Sequence, residues 1–483
     1  MVKGVVLSLA GEHAVIGNMH GARVYHAVRI GKKNILGQIV AVESDGRAVA
    51  RIFDGICTLS IGDAAVSDGA PVSIGLGVGI MGRVFDPLLR PIDIGTVPRY
   101  EQLRQKKWQL NVISSFAQQV NEGDVIGTVK ENSSFVHKIT VPYGLSGSVV
   151  ELHSGKYRLD DRIGKIKRED GTIVDITLEQ TVGFRGRRSA VHIAPLDSFR
   201  TGTLATNSFY PIVKGSINLI VGERSSGRTE LINELCTETD TDALVFLVCG
   251  YGSTRLTALL SLLKRKNVLQ RSVILTASIG CTAQQSVQAV ESAIAVSEYL
   301  CAMGYNAMLV IDALDRALSG VTATEADGVT ELLLRSAGAF KCKKGTTQSS
   351  LTVVATADAE DSTVETVGHR AMTYISLAPR CWEGAGRYGI DTEASFTRAH
   401  ELIPVERYET AKELAARLAW LSSSSEVAVR EAAQRCIDRL LDLETGGSAK
   451  VADEMISKAL GFVRNACADF SASCEYLSRV MSM

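Results

Sequence analysis

The sequence predicts an α/β multidomain fold, in which a parallel sheet wrapped by helices is combined with smaller β-domains. Two observations lead to this fold class. The chain has 483 residues, which is too long for a single hydrophobic core. Over residues 189–404, apolar runs such as "INLIVG" and "AMLVIDA" alternate with helical stretches, a pattern typical of parallel strands covered by helices on both faces.

The other segments carry different patterns. Residues 1–68 contain short β-rich runs separated by Gly, Asn and Asp, which predicts a small N-terminal β-barrel. Residues 69–108 are dense in glycine and contain prolines near their end, which indicates a connector with tight turns. Hairpin-sized runs return over residues 109–188 and predict an inserted β-domain. Residues 405–483 have helical periodicity and few breakers, which predicts a C-terminal helical domain.

Composition argues against several function classes. With 52 Lys and Arg against 53 Asp and Glu, the chain lacks an overall charge that would draw it to nucleic acid or to an anionic membrane. The ten cysteines form no C-x-x-C and the eight histidines no H-x-x-x-H, which favours reduced cysteines in a cytosolic protein over a zinc site or disulfides. The opening apolar run, broken at Gly11, predicts a strand rather than a signal peptide. Apolar runs elsewhere are about half the length that a bilayer requires.

The stretch "VGERSSGRTE" from Val221 to Glu230 has the G-x-x-x-x-G spacing and closing Thr of a phosphate-binding loop. It follows an apolar strand and precedes a helix, where backbone N–H groups and the helix dipole favour an anion. Arg228 stands where such loops carry lysine, and its planar guanidinium is not equivalent to an ammonium group. The residues predicted to bind nucleotide are Gly222, Ser225, Ser226, Gly227, Arg228 and Thr229. An inherited turn without a ligand is the alternative.

Two further positions belong to the chemistry of such a site. Asp312 follows four apolar strand residues and is predicted to hold Mg²⁺ through water, together with Thr229, unless it only caps the next helix. A catalytic base is expected at the end of the strand "ALVFLVCG", where the chain has Tyr251. A phenol is a poor base near neutral pH, because its pKa is about 10. The nearby Arg255 is no better as a base.

Several motifs together resemble one family. "GRVFDPLLRPI", "HKITVPYGLSGSV", "FYPIVKG", the loop and "MGYNAMLVIDALDR" occur in the order and spacing of the catalytic A subunit of V/A-type rotary ATPases, also called the V-type ATP synthase alpha chain. The resemblance covers residues 1 to roughly 340. It implies an N-terminal β-barrel, an inserted β-domain, a RecA-like P-loop core and a C-terminal helical domain. It also implies binding of ATP or ADP with Mg²⁺.

The resemblance implies a role for each matching residue. Arg228 would replace the phosphate-binding lysine, Asp312 would match the aspartate on the magnesium side, and Tyr251 would take the place of the catalytic glutamate. The chain therefore resembles a divergent member with a degenerate nucleotide site. The local match of "GRYGIDTEASFTRAH" to non-catalytic rotary subunits and to flagellar and secretion ATPases makes Arg398 a candidate arginine finger acting on a neighbouring subunit, unless it is a surface residue.

Partners also follow from the resemblance. They are a B-type subunit alternating with this one in a hexameric ring, central-stalk subunits, and a membrane sector reached only through these partners. A cytoplasmic protein that is peripheral on the membrane is therefore expected, without nucleic acid.

Three functions remain at this point. The first is a nucleotide-binding subunit with weak or no hydrolysis, in a complex that couples ATP turnover to proton or sodium transport. The second is an active, ATP-hydrolysing or ATP-synthesising A subunit. The third is a hexameric nucleic-acid motor, which would require a basic channel or stacking aromatics on the small β-domain.

Overall fold

The computed structural model describes residues 1–54, 56–92, 104–113, 119–183, 190–193, 197–199, 201, 206, 210–223, 225–342, 348–382 and 385–399. In this part of the chain the predicted fold class is confirmed: a closed β-barrel, an inserted β-domain and an α/β core follow one another. The predicted C-terminal helical domain, residues 405–483, lies outside the described residues. Among the helices in the described ranges, none has both the length and the apolar character needed to cross a membrane.

Six strands close into the N-terminal barrel. They are β1 (Val2–Ala10), β2 (His13–Gly17), β3 (Ala27–Ile30), β4 (Ile35–Val42), β5 (Ala48–Ile52) and β6 (Ala64–Ser67). Around the barrel the neighbouring strands have the order β1-β2-β5-β4-β3-β6. A short 3₁₀ turn, Ile56–Thr58, lies between β5 and β6. Inward-facing apolar side chains, among them Val6, Ile16 and Ile39, fill the barrel and are fully buried. Closure pairs every strand on both edges, so the barrel has no free edge.

The segment interpreted as a connector contains strands as well as turns. β7 (Ser73–Gly77) pairs with β17 (Glu179–Gly183) at the end of the inserted domain, and β8 (Arg83–Phe85) joins the edge of the core sheet. A Cβ at Gly77 would lie 2.6 Å from the carbonyl oxygen of Leu178. This glycine therefore permits the close pairing of β7 with β17. The many glycines of this segment, which predicted tight turns, here belong to a strand.

Eight strands in two four-stranded sheets form the inserted domain. They are β9 (Trp108–Val112), β10 (Gln119–Val120), β11 (Val125–Lys130), β12 (Val136–Thr140), β13 (Gly147–Leu152), β14 (Gly155–Tyr157), β15 (Arg162–Lys167) and β16 (Ile173–Thr177). One sheet has the order β10-β13-β15-β16 and the other β12-β11-β9-β14. Leu110, Val129 and Ile166 are fully buried in the core that they share. Their burial is typical of two packed β-sheets.

A ten-stranded sheet organises the core domain. Besides β8 it contains β18 (Ala190–Ile193), β19 (Ile217–Gly222), β20 (Ala243–Cys249), β21 (Ser272–Ala277), β22 (Asn306–Asp312), β23 (Gly338–Cys342), β24 (Gln348–Ala357), β25 (Thr373–Trp382) and β26 (Ala385–Thr397). The strands β25-β19-β24-β22-β20-β21-β8 are parallel neighbours. Antiparallel pairing adds β26 to β25, β23 to β24 and β18 to β23.

Helices cover this sheet on both faces. They are α1 (Arg228–Glu238), α2 (Ser253–Arg265), α3 (Ala283–Ala302), α4 (Leu314–Ala317), α5 (Ala323–Ser336) and α6 (Ser362–Gly368), with a 3₁₀ turn at Leu269–Arg271. Every residue of β19, β20 and β21 is buried, which explains their continuous apolar runs. Capping boxes at Thr282 and Thr322 start α3 and α5. Because ligands of such sheets bind outside the carboxyl ends of the parallel strands, the loop after β19 lies where a site is expected.

Buried polar contacts join both β-domains to helix α3. Arg51 of the barrel donates from Nη2 to Glu291 Oε2 at 2.6 Å, and both side chains are almost fully buried. In the inserted domain, His137 lies between Glu131, at 3.0 Å from Nδ1, and Tyr299 of α3, at 2.8 Å from Nε2. His137 is fully buried, so these two contacts link the inserted domain to α3 away from solvent. Helix α3 therefore contacts all three described domains.

Candidate functional site

The loop predicted to bind phosphate connects β19 to α1 at the carboxyl edge of the parallel sheet. At Gly222, an added Cβ would lie 2.9 Å from the carbonyl oxygen of Leu377, so only glycine fits beside the neighbouring strand. Ser225 and Gly227 both have left-handed backbone conformations, with φ of 66° and 88°. These angles turn the chain sharply into α1, which begins at Arg228. The local sequence thus forms the compact strand–loop–helix turn that the motif requires.

Polar atoms of this loop are buried without hydrogen-bond partners among the described residues. These atoms are Ser226 Oγ and Arg228 Nη1. The N-cap residue, Gly227, has no side chain that could accept from the N–H groups in the first turn of α1. Buried unsatisfied donors cost about 1–3 kcal/mol each, so native proteins rarely keep them without a ligand or water. A phosphate group at the helix N-terminus would accept from all of these donors, and the loop fits one.

Asp312, at the end of β22, is held by an arginine. The guanidinium of Arg255 donates to Asp312 Oδ2 from Nη2 at 2.9 Å and from Nε at 3.1 Å. The pair is buried, with side-chain exposures of 12% for Arg255 and 1% for Asp312. Asp312 Oδ1 accepts from Thr356 Oγ1 at 3.4 Å. Arg255 comes from the first turn of α2, close after Tyr251, so the site receives a cation that the motif alone did not indicate.

Tyr251 follows β20 and lies beside this ion pair. Its hydroxyl is 3.5 Å from Asp312 Oδ1, and the guanidinium of Arg316 stacks over its ring at 4.5 Å. Arg316 also donates from Nη1 to the carbonyl oxygen of Gly250 at 3.1 Å, which fixes the turn before Tyr251. Burial raises the pKa of the Tyr251 phenol, and the nearby Asp312 carboxylate raises it further. Tyr251 therefore stays protonated at neutral pH. It accepts a proton less readily than the carboxylate that is expected at this position.

A second carboxyl group, which the sequence reasoning did not single out, lies in the same site. Asp315 is in the short helix α4, three residues after Asp312, and its Oδ1 is buried without a hydrogen-bond partner among the described residues. Burial raises the pKa of Asp315, and the charge of Asp361 adds to the effect, while Arg228 and Arg316 oppose it. The spacing of the two aspartates within "VIDALDR" was the available signal, since one turn of chain places both near the strand end.

The donor set does not fit the predicted magnesium site as it stands. Mg²⁺ requires near-octahedral oxygen ligands and is usually held through one or two carboxylates. Asp312 is already paired with Arg255. The assignment of Thr229 and Asp312 to the metal thus stays a prediction, and the geometry of Asp312 argues against it.

Arg398 lies far from the loop of its own chain. It follows β26, whose last residue, Thr397, pairs with Thr373 at the start of β25. The loop follows Gly222, which pairs with Leu377 further along the same strand. Arg398 therefore lies near the start of β25, whereas the loop lies beside the middle of that strand; Arg398 is exposed and donates to the carbonyl oxygen of His369 at 2.8 Å. This placement fits a surface residue as well as a residue that acts on a neighbouring subunit, and the second role stays a prediction.

Comparisons with known protein families match two parts of the chain. The barrel-sandwich domain of ATP synthase alpha/beta subunits matches residues 101–183. The nucleotide-binding domain of the ATP synthase alpha/beta family matches residues 202–325, which include the loop, Tyr251, Arg255 and Asp312. Both matches coincide with domains that the structure forms.

Individual relatives agree with these matches. The V-type ATP synthase alpha chain of Streptococcus pneumoniae (strain Hungary19A-6) is 26% identical over 335 residues, which are 65% of this chain and 56% of that protein. The corresponding protein of Clostridium botulinum (strain Langeland) is 27% identical over 333 residues, with the same coverage of both chains. The matched region therefore spans little more than half of these relatives.

A solved structure is similar in fold. It is the assembled ATPase EscN in complex with its central stalk EscO, from the type III secretion system of enteropathogenic E. coli. The TM-score is 0.62, with 15% sequence identity, 95% of this chain covered and 100% of that chain covered. At this identity the likeness concerns the fold alone.

Proposed function

Because the chain is a divergent, A-subunit-like relative of the V/A-type rotary ATPases, we propose that it binds ATP or ADP and hydrolyses ATP weakly or not at all. It would do so within a complex that couples ATP turnover to proton or sodium transport. In this proposal the subunit serves the assembly through structure or regulation rather than through its own chemistry.

One observation carries the binding part of the proposal: the loop after β19 leaves phosphate donors unused. Ser226 Oγ and Arg228 Nη1 are buried without partners among the described residues, beside an uncapped helix N-terminus. A dinegative or trinegative phosphate chain supplies acceptors for all of them. Gly222, Ser225, Gly227 and Thr229 complete the proposed nucleotide cradle, in the order that the motif predicts.

The chemistry of the site supports weak or absent hydrolysis. ATP hydrolysis needs a group that orients or deprotonates water near the γ-phosphate. Tyr251 occupies that position, and burial raises the pKa of its phenol above the ordinary value. Losing one catalytic group can cost several powers of ten in rate, because about 1.36 kcal/mol of barrier corresponds to a tenfold change. An active A subunit, the alternative function, would also need Mg²⁺, and Asp312 would first have to leave Arg255.

We further propose the partners that the relatives imply. A B-type subunit would alternate with this chain in a ring, central-stalk subunits would pass through it, and the membrane sector would be reached through them. The structural likeness to an ATPase assembled around a central stalk is compatible with such a ring. In the ring, Arg398 would act on the nucleotide of a neighbour, since it lies away from the loop of its own chain.

The test is binding of Mg-ATP by the purified chain with phosphate release followed in the same sample, alone and with a B-type partner. We expect binding with no release above that of a boiled sample in either case. Phosphate release that disappears in an Asp312→Ala variant would establish the active alternative, because only a site-dependent activity is sensitive to that carboxylate. Failure to bind either nucleotide would contradict the proposal as a whole.

A further inference from the structure

We infer that this site takes the phosphate chain of a nucleotide without a divalent cation, with Arg255 as the residue that sets this preference. The inference rests on the proposed nucleotide binding and deepens it, because it names the form of the ligand. It follows from the contacts of one buried guanidinium with two elements of the site.

The guanidinium of Arg255 is held on two sides. On one side it donates to Asp312 Oδ2 from Nε and Nη2, at 3.1 and 2.9 Å. On the other side, Nη1 and Nη2 both lie 3.3 Å from Oδ1 of Asn233, one helical turn after Thr229 in α1. Three of its nitrogen atoms therefore have partners, and the head group bridges β22 and α1. An arginine fixed in this way by a planar, charge-assisted contact is not a mobile surface side chain.

The predicted magnesium site would use Asp312 of β22 and the Thr229 hydroxyl of α1, and the guanidinium joins these same two elements through Asp312 and Asn233. The charge of Asp312 is already neutralised by Arg255, which removes the attraction that this carboxylate would exert on a dication and leaves only that of the phosphates. A dication next to a buried guanidinium would also be repelled. The remaining oxygen, Asp312 Oδ1, is within 3.5 Å of the hydroxyls of Tyr251 and Thr356.

Phosphate binding needs no metal at such a site. Arg228 begins α1 with one buried donor that has no partner in the part of the chain that the structure describes, and Gly227 provides no side-chain cap for the first-turn N–H groups of α1. Arginine binds phosphate through fixed donors and stays charged at every accessible pH. The loop therefore supplies positive charge and donors from the protein itself.

The test is calorimetric titration of the full chain with ADP and with ATP, once in excess MgCl₂ and once in EDTA. We expect the apparent dissociation constants in MgCl₂ to be equal to or higher than those in EDTA, because Mg²⁺ bound to the free nucleotide competes with a site that takes the metal-free phosphate chain. Nucleotide binding that is lost in EDTA would overturn the inference while leaving the proposed function intact. No binding under either condition would instead contradict the proposed nucleotide binding.

A variant identifies the residue responsible. Arg255→Gln removes the cation but keeps an amide that can donate to Asp312, and it should make binding at least about tenfold tighter in MgCl₂ than in EDTA, because the carboxylate is then free for Mg²⁺. The matched control is Arg265→Gln on the same helix, an exposed position, which should keep the metal-independent binding of the parent chain. An Arg255→Gln chain that binds nucleotide equally in both solutions would overturn the inference.

A second measurement needs no variant. Mn²⁺ can replace Mg²⁺ as a paramagnetic probe, and its electron paramagnetic resonance signal decreases when it is bound. We expect the parent chain with ADP to immobilise no more Mn²⁺ than ADP alone does. A stoichiometric site that appears only with protein and ADP together would overturn the inference.

Discussion

The buried Arg255–Asp312 pair gives a stability prediction that can be worked from the structure. In an Arg255→Met variant, which keeps an apolar stem of similar length, Asp312 would lose its partner at 1% exposure. Breaking a buried ion pair by removing one member costs about 3–5 kcal/mol. An independent estimate is the cost of protonating an ordinary aspartate side chain at pH 7. This pH lies about 3 units above the ordinary pKa, and at about 1.36 kcal/mol for each unit the cost is about 4 kcal/mol.

The second estimate also predicts a dependence on pH. If the unpaired carboxyl group takes up a proton, the cost falls by about 1.4 kcal/mol for each pH unit, to roughly 1.5 kcal/mol at pH 5. The variant should therefore be much closer to the parent chain in acid than at neutral pH.

Native-state hydrogen exchange measures this loss locally, so the multidomain chain need not unfold in one step. The amides of β20 and β22 are compared between variant and parent at pH 7 and pH 5, without nucleotide and in EDTA, after correction for intrinsic exchange. Arg265→Met on the same helix serves as the exposed control and should change the opening free energy by less than about 0.5 kcal/mol. A loss below about 1 kcal/mol at pH 7, or an equal loss at both pH values, would refute the buried pair as described.

Three further predictions concern other contacts. Gly222→Ala should weaken nucleotide binding at least about tenfold in calorimetry, because its Cβ would lie 2.9 Å from the carbonyl oxygen of Leu377. Gly252→Ala is the control and should leave binding unchanged, since no atom lies within 4 Å of its Cβ. Burial raises the pKa of Asp315, so its charged form destabilises the folded chain at neutral pH; Asp315→Asn should raise the thermal midpoint there, with a gain that shrinks as the pH falls towards 4. His137→Phe leaves Glu131 and Tyr299 without their buried partner, so the opening free energy that amide exchange reports for β12 should fall by about 1–3 kcal/mol for each of them. The exposed His153→Phe should leave this free energy unchanged.

The sequence predicted those parts of the site that depend on neighbours along the chain. The loop motif and the strand before Asp312 follow local rules of spacing and apolar periodicity; the structure forms the strands β19 and β22 and the helix α1 around them, and the binding roles of the loop residues stay a prediction. Arg255 was considered only as a base, because its partner Asp312 is 57 residues away and no local pattern connects them. The raised pKa of Asp315 likewise depends on its burial in the fold and on the charge of Asp361, which is distant in the sequence. Strand β8 escaped prediction because three residues carry too little periodicity.

The unusual groups of the site compensate one another electrostatically, which explains why they occur together. A carboxylate at position 251 would stand near Asp312, whose Oδ1 is 3.5 Å from the hydroxyl now present, and two close carboxylates require a metal or a proton between them. The neutral phenol of Tyr251 removes that repulsion, and Arg255 supplies the charge that a metal would otherwise supply. Restoring a glutamate at position 251 alone would therefore add a second carboxylate beside a pair that excludes the metal. The proposed weak hydrolysis would thus arise from the whole set of contacts rather than from one substituted residue.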